Sequence, residues 1–150
     1  MNAFPDESID YRENPEAYRI GRGETGVLTV EPYKSEILPH WRFKTPEEAE
    51  ESATAILELY EAYKSSSDFV GMDMARKFLQ MGYTRSRRYA RHRSGRKYDD
   101  DGNELPEDPD PQKAQSARVF KAAWDRVRND DDYQRLKQKH QRLVARSRQK

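Results

Sequence analysis

The 150 residues contain no cysteine. That excludes disulfides and zinc–thiolate centres and favours a reducing compartment. No apolar run approaches the ~20 residues that a membrane-spanning helix needs, and the N-terminus lacks the basic-then-apolar pattern of a secretory signal. The expectation is a soluble, cytoplasmic protein. Hydrophobic residues are scarce too, at 34% against 37% charged, with a mean hydropathy of -1.23. Such a composition leans toward the disordered side of globular averages. Nine tyrosines and two tryptophans still supply enough large side chains for a modest core. Net charge is only +1, so the segregation of charge along the chain carries more information than its sum.

Catalytic signatures are also missing. There is no H-x-x-x-H and no G-x-S-x-G, so zinc and serine hydrolase chemistry has no support. His40, His92 and His140 share no ligand spacing, and no carboxylate pair sits in an apolar setting where acid–base work would place it. No catalytic residue, cofactor or metal is expected. Gly21 to Gly26 (GRGETG) matches G-x-G-x-x-G, but a dinucleotide loop needs a strand before it and a helix after it. Here the β-rich segment comes after the motif. The motif reads as a turn, with Arg22 and Gly23 as a possible small anion nest. Asp99 to Asn103 resembles a calcium loop without its first ligand, because Lys97 stands there, so it reads as an acidic turn.

The elements point to a mainly α (α+β) fold of about four helices with a small N-terminal β element. Residues 1–25 are polar and read as an arm with at most one helical turn, at Pro15 to Ile20. Residues 26–98 form the core domain. Gly26 to Tyr33 is β-rich and is expected to pair with Ile37 to Phe43. Thr45-Pro46-Glu47-Glu48 is a helix start with a capping box, and apolar residues continue at helical spacing through Tyr63. Ser67 or Asp68 can cap a buried helix that ends at Gly82, and Thr84 can cap a further short one. Residues 99–111 hold seven acids and three prolines and read as an acidic linker, with a weak hairpin across Arg96–Tyr98 and Glu104–Leu105. Residues 112–150 carry two amphipathic helices. Phe120, Trp124 and Val127 mark the first. Tyr133, Leu136, His140 and Leu143 space the second as a heptad-like seam, and its basic tail is expected to fray.

The charge distribution carries the functional signal. Between Met74 and Tyr98 there are nine basic residues and no acid. Arginine suits phosphate because its planar fork makes paired hydrogen bonds and stacks on bases, and interleaved tyrosine adds stacking. Arg85, Arg87, Arg88, Arg91, Arg93, Arg96 and Lys97 are the candidate phosphate contacts, with Tyr89 and Tyr98 as sugar or base contacts. The competing reading is a solvated face paired with acids of the same chain, either the seven of residues 99–111 or those of the acidic helix that starts at Pro46.

Three stretches, YRIGRGETGVLTVEPYKSEILPHWRFKTPEEA, DFVGMDMARKFLQMGYTRSRRYARH and GRKYD, resemble a family of small uncharacterised proteins found in bacteria and their viruses. The likeness covers roughly Tyr18 to Asp99. It implies a domain over that stretch and brings no activity with it. The expected function is nucleic-acid binding by the Arg/Tyr-rich surface. The alternatives are a protein-interaction module built on the C-terminal seam and an enzyme acting on a phosphorylated small molecule.

Overall fold

Two long helices joined by a tight turn form the centre of the molecule, a computed structural model that describes residues 4–148. Five α-helices occur among the described residues: α1 (Tyr33–Ile37), α2 (Pro46–Ser65), α3 (Phe69–Arg91), α4 (Pro111–Arg128) and α5 (Asp131–Arg148). Short 3-10 turns lie at Pro15–Ala17 and Leu38–His40. The start of α2 obeys its local sequence. Thr45 Oγ1 accepts from the Glu48 amide at 3.1 Å, Pro46 takes the first helical position, and Glu47 and Glu48 face the positive helix end. Asp68 caps α3 by accepting from the Gly71 amide at 3.1 Å. The turn between the helices folds Tyr63 flat onto Gly71, where a Cβ would lie 2.4 Å from Tyr63 Cγ.

The expected stop at Gly82 is not there. α3 runs straight through it, and Thr84 caps nothing: its hydroxyl sits 3.0 Å from a Glu24 carboxylate oxygen and 3.2 Å from the Met81 carbonyl. Gly82 serves a different purpose. Phe120 of α4 crosses α3 at this point, and a Cβ on Gly82 would lie 2.5 Å from Phe120 Cδ1. The glycine costs the helix ~1 kcal/mol relative to alanine and permits the close approach.

The small N-terminal β element is a second correction. No strand occurs among the described residues, only isolated bridges such as Asp10 with Glu31. Residues 22–30 make consecutive turns, with the Val27 amide on Glu24 O, the Thr29 amide on Gly26 O and the Val30 amide on Gly26 O. Val27 and Val30 are buried while Leu28 is 51% exposed. That is a three-residue period, not the two-residue alternation of a strand. The Lys34 amide then bonds to Val30 O and leads into α1. With that extra short helix, the helices number five rather than about four. The hairpin expected near Tyr98 exists as a single antiparallel bridge from Tyr98 to Glu104. The C-terminal tail stays helical to Arg148.

A buried polar network joins the N-terminal segment, α3 and α5. Asp73 is fully buried on α3. It accepts from Tyr18 Oη at 2.5 Å, Tyr133 Oη at 2.6 Å, and Arg76 Nε and Nη2 at 2.9 and 2.8 Å. Lys77 Nζ lies 3.9 Å from the same carboxylate and donates to the Thr25 carbonyl at 2.5 Å. Arg76 also reaches Gly23 O at 2.5 Å. Burial raises the Asp73 pKa, but Arg76, Lys77 and the two tyrosine hydroxyls outweigh it and hold it below the usual carboxylate range. Burial pushes Lys77 down to about 8 and Tyr18 well up. None of the larger surface cavities among the described residues opens onto Asp73, Arg76 or Lys77. The network therefore works as a tie within the fold. A carboxylate whose hydrogen-bonding capacity is filled is one of the few ways a charge is tolerated in a core.

Candidate nucleic-acid interface

α3 changes character along its length. From Phe69 to Leu79 every residue is buried; beyond Gly82 the helix emerges and Arg87, Arg88 and Arg91 are exposed. Arg87 and Arg91 are four residues apart and share a face with Arg88 beside them. An unbroken 23-residue helix anchored in the core presents them, so their spacing is fixed by the backbone.

The arginine cluster divides into paired and unpaired groups. Arg93 bridges to Asp108 at 3.1 Å and Asp110 at 3.6 Å. Arg96 bridges to Asp100 at 2.8 Å. Arg76 and Lys77, part of the same basic run in sequence, are inside the protein on Asp73. Arg85, Arg87, Arg88, Arg91 and Lys97 form no ion pair among the described residues. Arg87 instead donates to Tyr83 Oη at 3.1 Å.

Two adjoining depressions share Tyr83, Arg87 and Arg91. The larger, about 630 Å³, runs between α3 and α4. Ala90, Ala114 and Ala117 line it, with Arg118 on the α4 side beside Lys121, which bridges to Asp125 of the same wall at 2.6 Å. The smaller, about 290 Å³, lies toward the end of α3 and includes Arg88, His92 and Lys97. Together they make a trough with cations on both rims and small apolar side chains between them. Tyr83 and Trp124 pack at 5.8 Å beside it, and Arg128 covers the Trp124 ring at 4.2 Å. Trp124 is half-buried against the core.

The other expected residues fall elsewhere. Tyr89 is on another face of α3, 6.2 Å from Phe43, with Lys113 over its ring. Together with Arg42, Lys44 and Arg93, these line a separate depression of about 480 Å³. Tyr98 is 52% exposed with Lys97 over its ring at 5.5 Å. The loop at Arg22 and Gly23 closes on itself and on the core: Arg22 O accepts from the Thr25 amide and hydroxyl at the surface, and Gly23 O accepts from Arg76. Asp99 to Asn103 is a turn closed on itself, with Asp99 Oδ1 accepting from the Asp101 and Asn103 amides. No group of three or more metal-ligating side chains occurs among the described residues. Of the C-terminal seam, Tyr133, Leu136 and His140 are buried in the chain's own core, while Leu143 is half-exposed and lines a groove of about 690 Å³ beside α5. No helix among the described residues is long and apolar enough to cross a membrane.

Arg118 escapes a reading based on local charge density, because α4 carries acids and bases at mixed spacing. Its relevance appears only when α4 lies across α3. The family model described as Domain of unknown function (DUF4385) matches residues 2–143. Neither the curated proteins nor the solved structures contain a match.

Proposed function

For this chain, which belongs to that domain-of-unknown-function family, we propose nucleic-acid binding along the trough between α3 and α4. One observation carries the reading. Arg87, Arg88, Arg91, Lys97 and, on α4, Arg118 line the trough without carboxylate partners among the described residues, in a chain with 27 acidic residues; Arg85 is also unpaired but half-buried, and it lines neither depression. Concentrating unpaired guanidinium groups on one helix costs electrostatic free energy, and an external polyanion relieves it. Arg118, which forms no ion pair among the described residues, extends the basic rim onto α4, while Lys121 beside it is held by Asp125 at 2.6 Å; Tyr98 offers an exposed ring for stacking. Arg93, Arg96 and Tyr89 take supporting places, the first two already charge-compensated. The reading includes a cytoplasmic setting and the bacterial or viral hosts that the sequence resemblance implies.

Binding should release counterions. Five phosphate contacts give a slope of log affinity against log salt near -4.5 on duplex DNA, or about -3.5 on a single strand. Labelled DNA and RNA titrated at several salt concentrations provide the test. Arg87→Ala with Arg91→Ala should flatten the slope by ~1.4 to 1.8. Absence of binding at low salt, or a slope that the double substitution leaves unchanged, removes the proposal.

A further inference from the structure

Within that trough the smaller pocket differs from an open basic surface. Its walls come from two directions, the end of α3 and the returning segment 104–108. Two bridges hold that segment in place, Tyr98 with Glu104 and His92 with Asp108. The Leu105 amide bonds to Lys97 O and the Asp108 amide to Arg91 O, both at 2.7 Å. His92, the residue that ends α3, lines the pocket and is only 6% exposed. Its Nδ1 is buried without a hydrogen-bond partner. Leaving a buried polar nitrogen unmatched costs ~1–3 kcal/mol, and such groups mark places where a partner is missing.

The charge inventory is specific. Arg87, Arg88, Arg91 and Lys97 face Glu104 and Glu107 around the pocket. Four cations against two carboxylates leave two positive charges. A bridging phosphodiester carries one negative charge and lies along a surface. A terminal phosphomonoester carries nearly two at neutral pH and presents three oxygens to a concave site. We infer that the His92–Lys97 pocket takes a phosphomonoester dianion, which on the reading above is the phosphorylated end of a nucleic-acid strand. The inference rests on that reading for its choice of macromolecule and on the pocket for its choice of group. The guanidinium groups of Arg87, Arg88 and Arg91 donate to the terminal phosphate oxygens, Lys97 adds a point charge, and His92 lines the pocket beside them.

The test compares single-stranded oligonucleotides of one sequence with a 5′-phosphate or a 5′-hydroxyl, by fluorescence anisotropy with the label at the 3′ end. Thymidine monophosphate and inorganic phosphate are titrated separately by calorimetry. The phosphorylated end should bind about tenfold more tightly, the equivalent of one charge-assisted contact of ~1.4 kcal/mol. His92→Gln should bring the ratio close to one and leave the hydroxyl-ended affinity nearly unchanged; Lys97→Ala, which also removes one of the backbone contacts proposed above, should weaken both oligonucleotides and still bring their ratio close to one. Equal affinities for the two ends overturn the inference while nucleic-acid binding stands. A preference that survives both substitutions places the end elsewhere and also overturns it. Uptake of thymidine monophosphate or phosphate with no oligonucleotide binding keeps the pocket and removes the nucleic-acid reading. Binding of none of these removes both.

Discussion

Asp73→Asn is the sharpest perturbation of the fold that holds the basic helix in place. The wild-type carboxylate accepts four hydrogen bonds and sits beside Arg76 and Lys77 in a site closed to solvent. The amide keeps the size but loses the charge, and its NH₂ turns a donor toward groups that are themselves donors. Removing one partner of a buried ionic cluster costs ~3–5 kcal/mol, because the remaining cations stay uncompensated. In a domain of this size each kcal/mol moves Tm by roughly 2–4 °C, giving a fall on the order of 10–15 °C. Urea denaturation with a circular-dichroism readout gives the free energy directly, and a double-mutant cycle apportions it. Lys77→Met placed on Asp73→Asn should recover part of the loss, since one of the stranded charges is then gone. Asp73→Asn within about 1 kcal/mol of wild type, or no recovery in the pair, would refute the role given to this carboxylate.

Gly82→Ala should destabilise by ~1–3 kcal/mol through overpacking against Phe120, although alanine favours a helix by ~1 kcal/mol; a thermal melt showing stabilisation would contradict the crossing. Lys77 makes stability depend on alkaline pH. Its folded pKa of about 8 lies below the ordinary value of 10.5, so between these values the unfolded chain binds more protons and stability rises with pH. The gain is ~2 kcal/mol from pH 7.5 to 9.5. It reverses above about pH 10, where unfolded tyrosines ionise while Tyr18, Tyr33 and Tyr60 stay protonated in the fold. Urea titrations across that range should show the rise in wild type and lose it in Lys77→Met; a flat wild-type profile counts against it.

The parts of this molecule that were legible from sequence are those governed by local chemistry. Thr45 and Asp68 cap because each has a short side-chain oxygen placed just before a helix-forming run, and the apolar spacing of α4 and α5 suffices to place both helices. Gly82 misleads because a helical glycine reads as a stop unless the crossing ring is known. Val27 and Val30 mislead because β-branched composition hides a three-residue burial period. The basic run is visible as composition, but its division is tertiary. Arg76 and Lys77 turn inward because a single acid, Asp73, lies three and four residues before them on a buried face. Arg93 and Arg96 are neutralised by acids that a turn brings back to them. What is left on the surface is smaller than the sequence cluster, and it gains Arg118 from a helix whose own charges look ordinary.

Arginine-selective modification with phenylglyoxal, read by peptide mass spectrometry with and without a saturating oligonucleotide, tests the interface itself. Arg87, Arg88 and Arg91 should lose reactivity on binding, Arg118 should lose it with them, and Arg135 and Arg142 on α5 should react as before. Protection confined to α5, with the α3 arginines still fully reactive in the complex, would contradict the account.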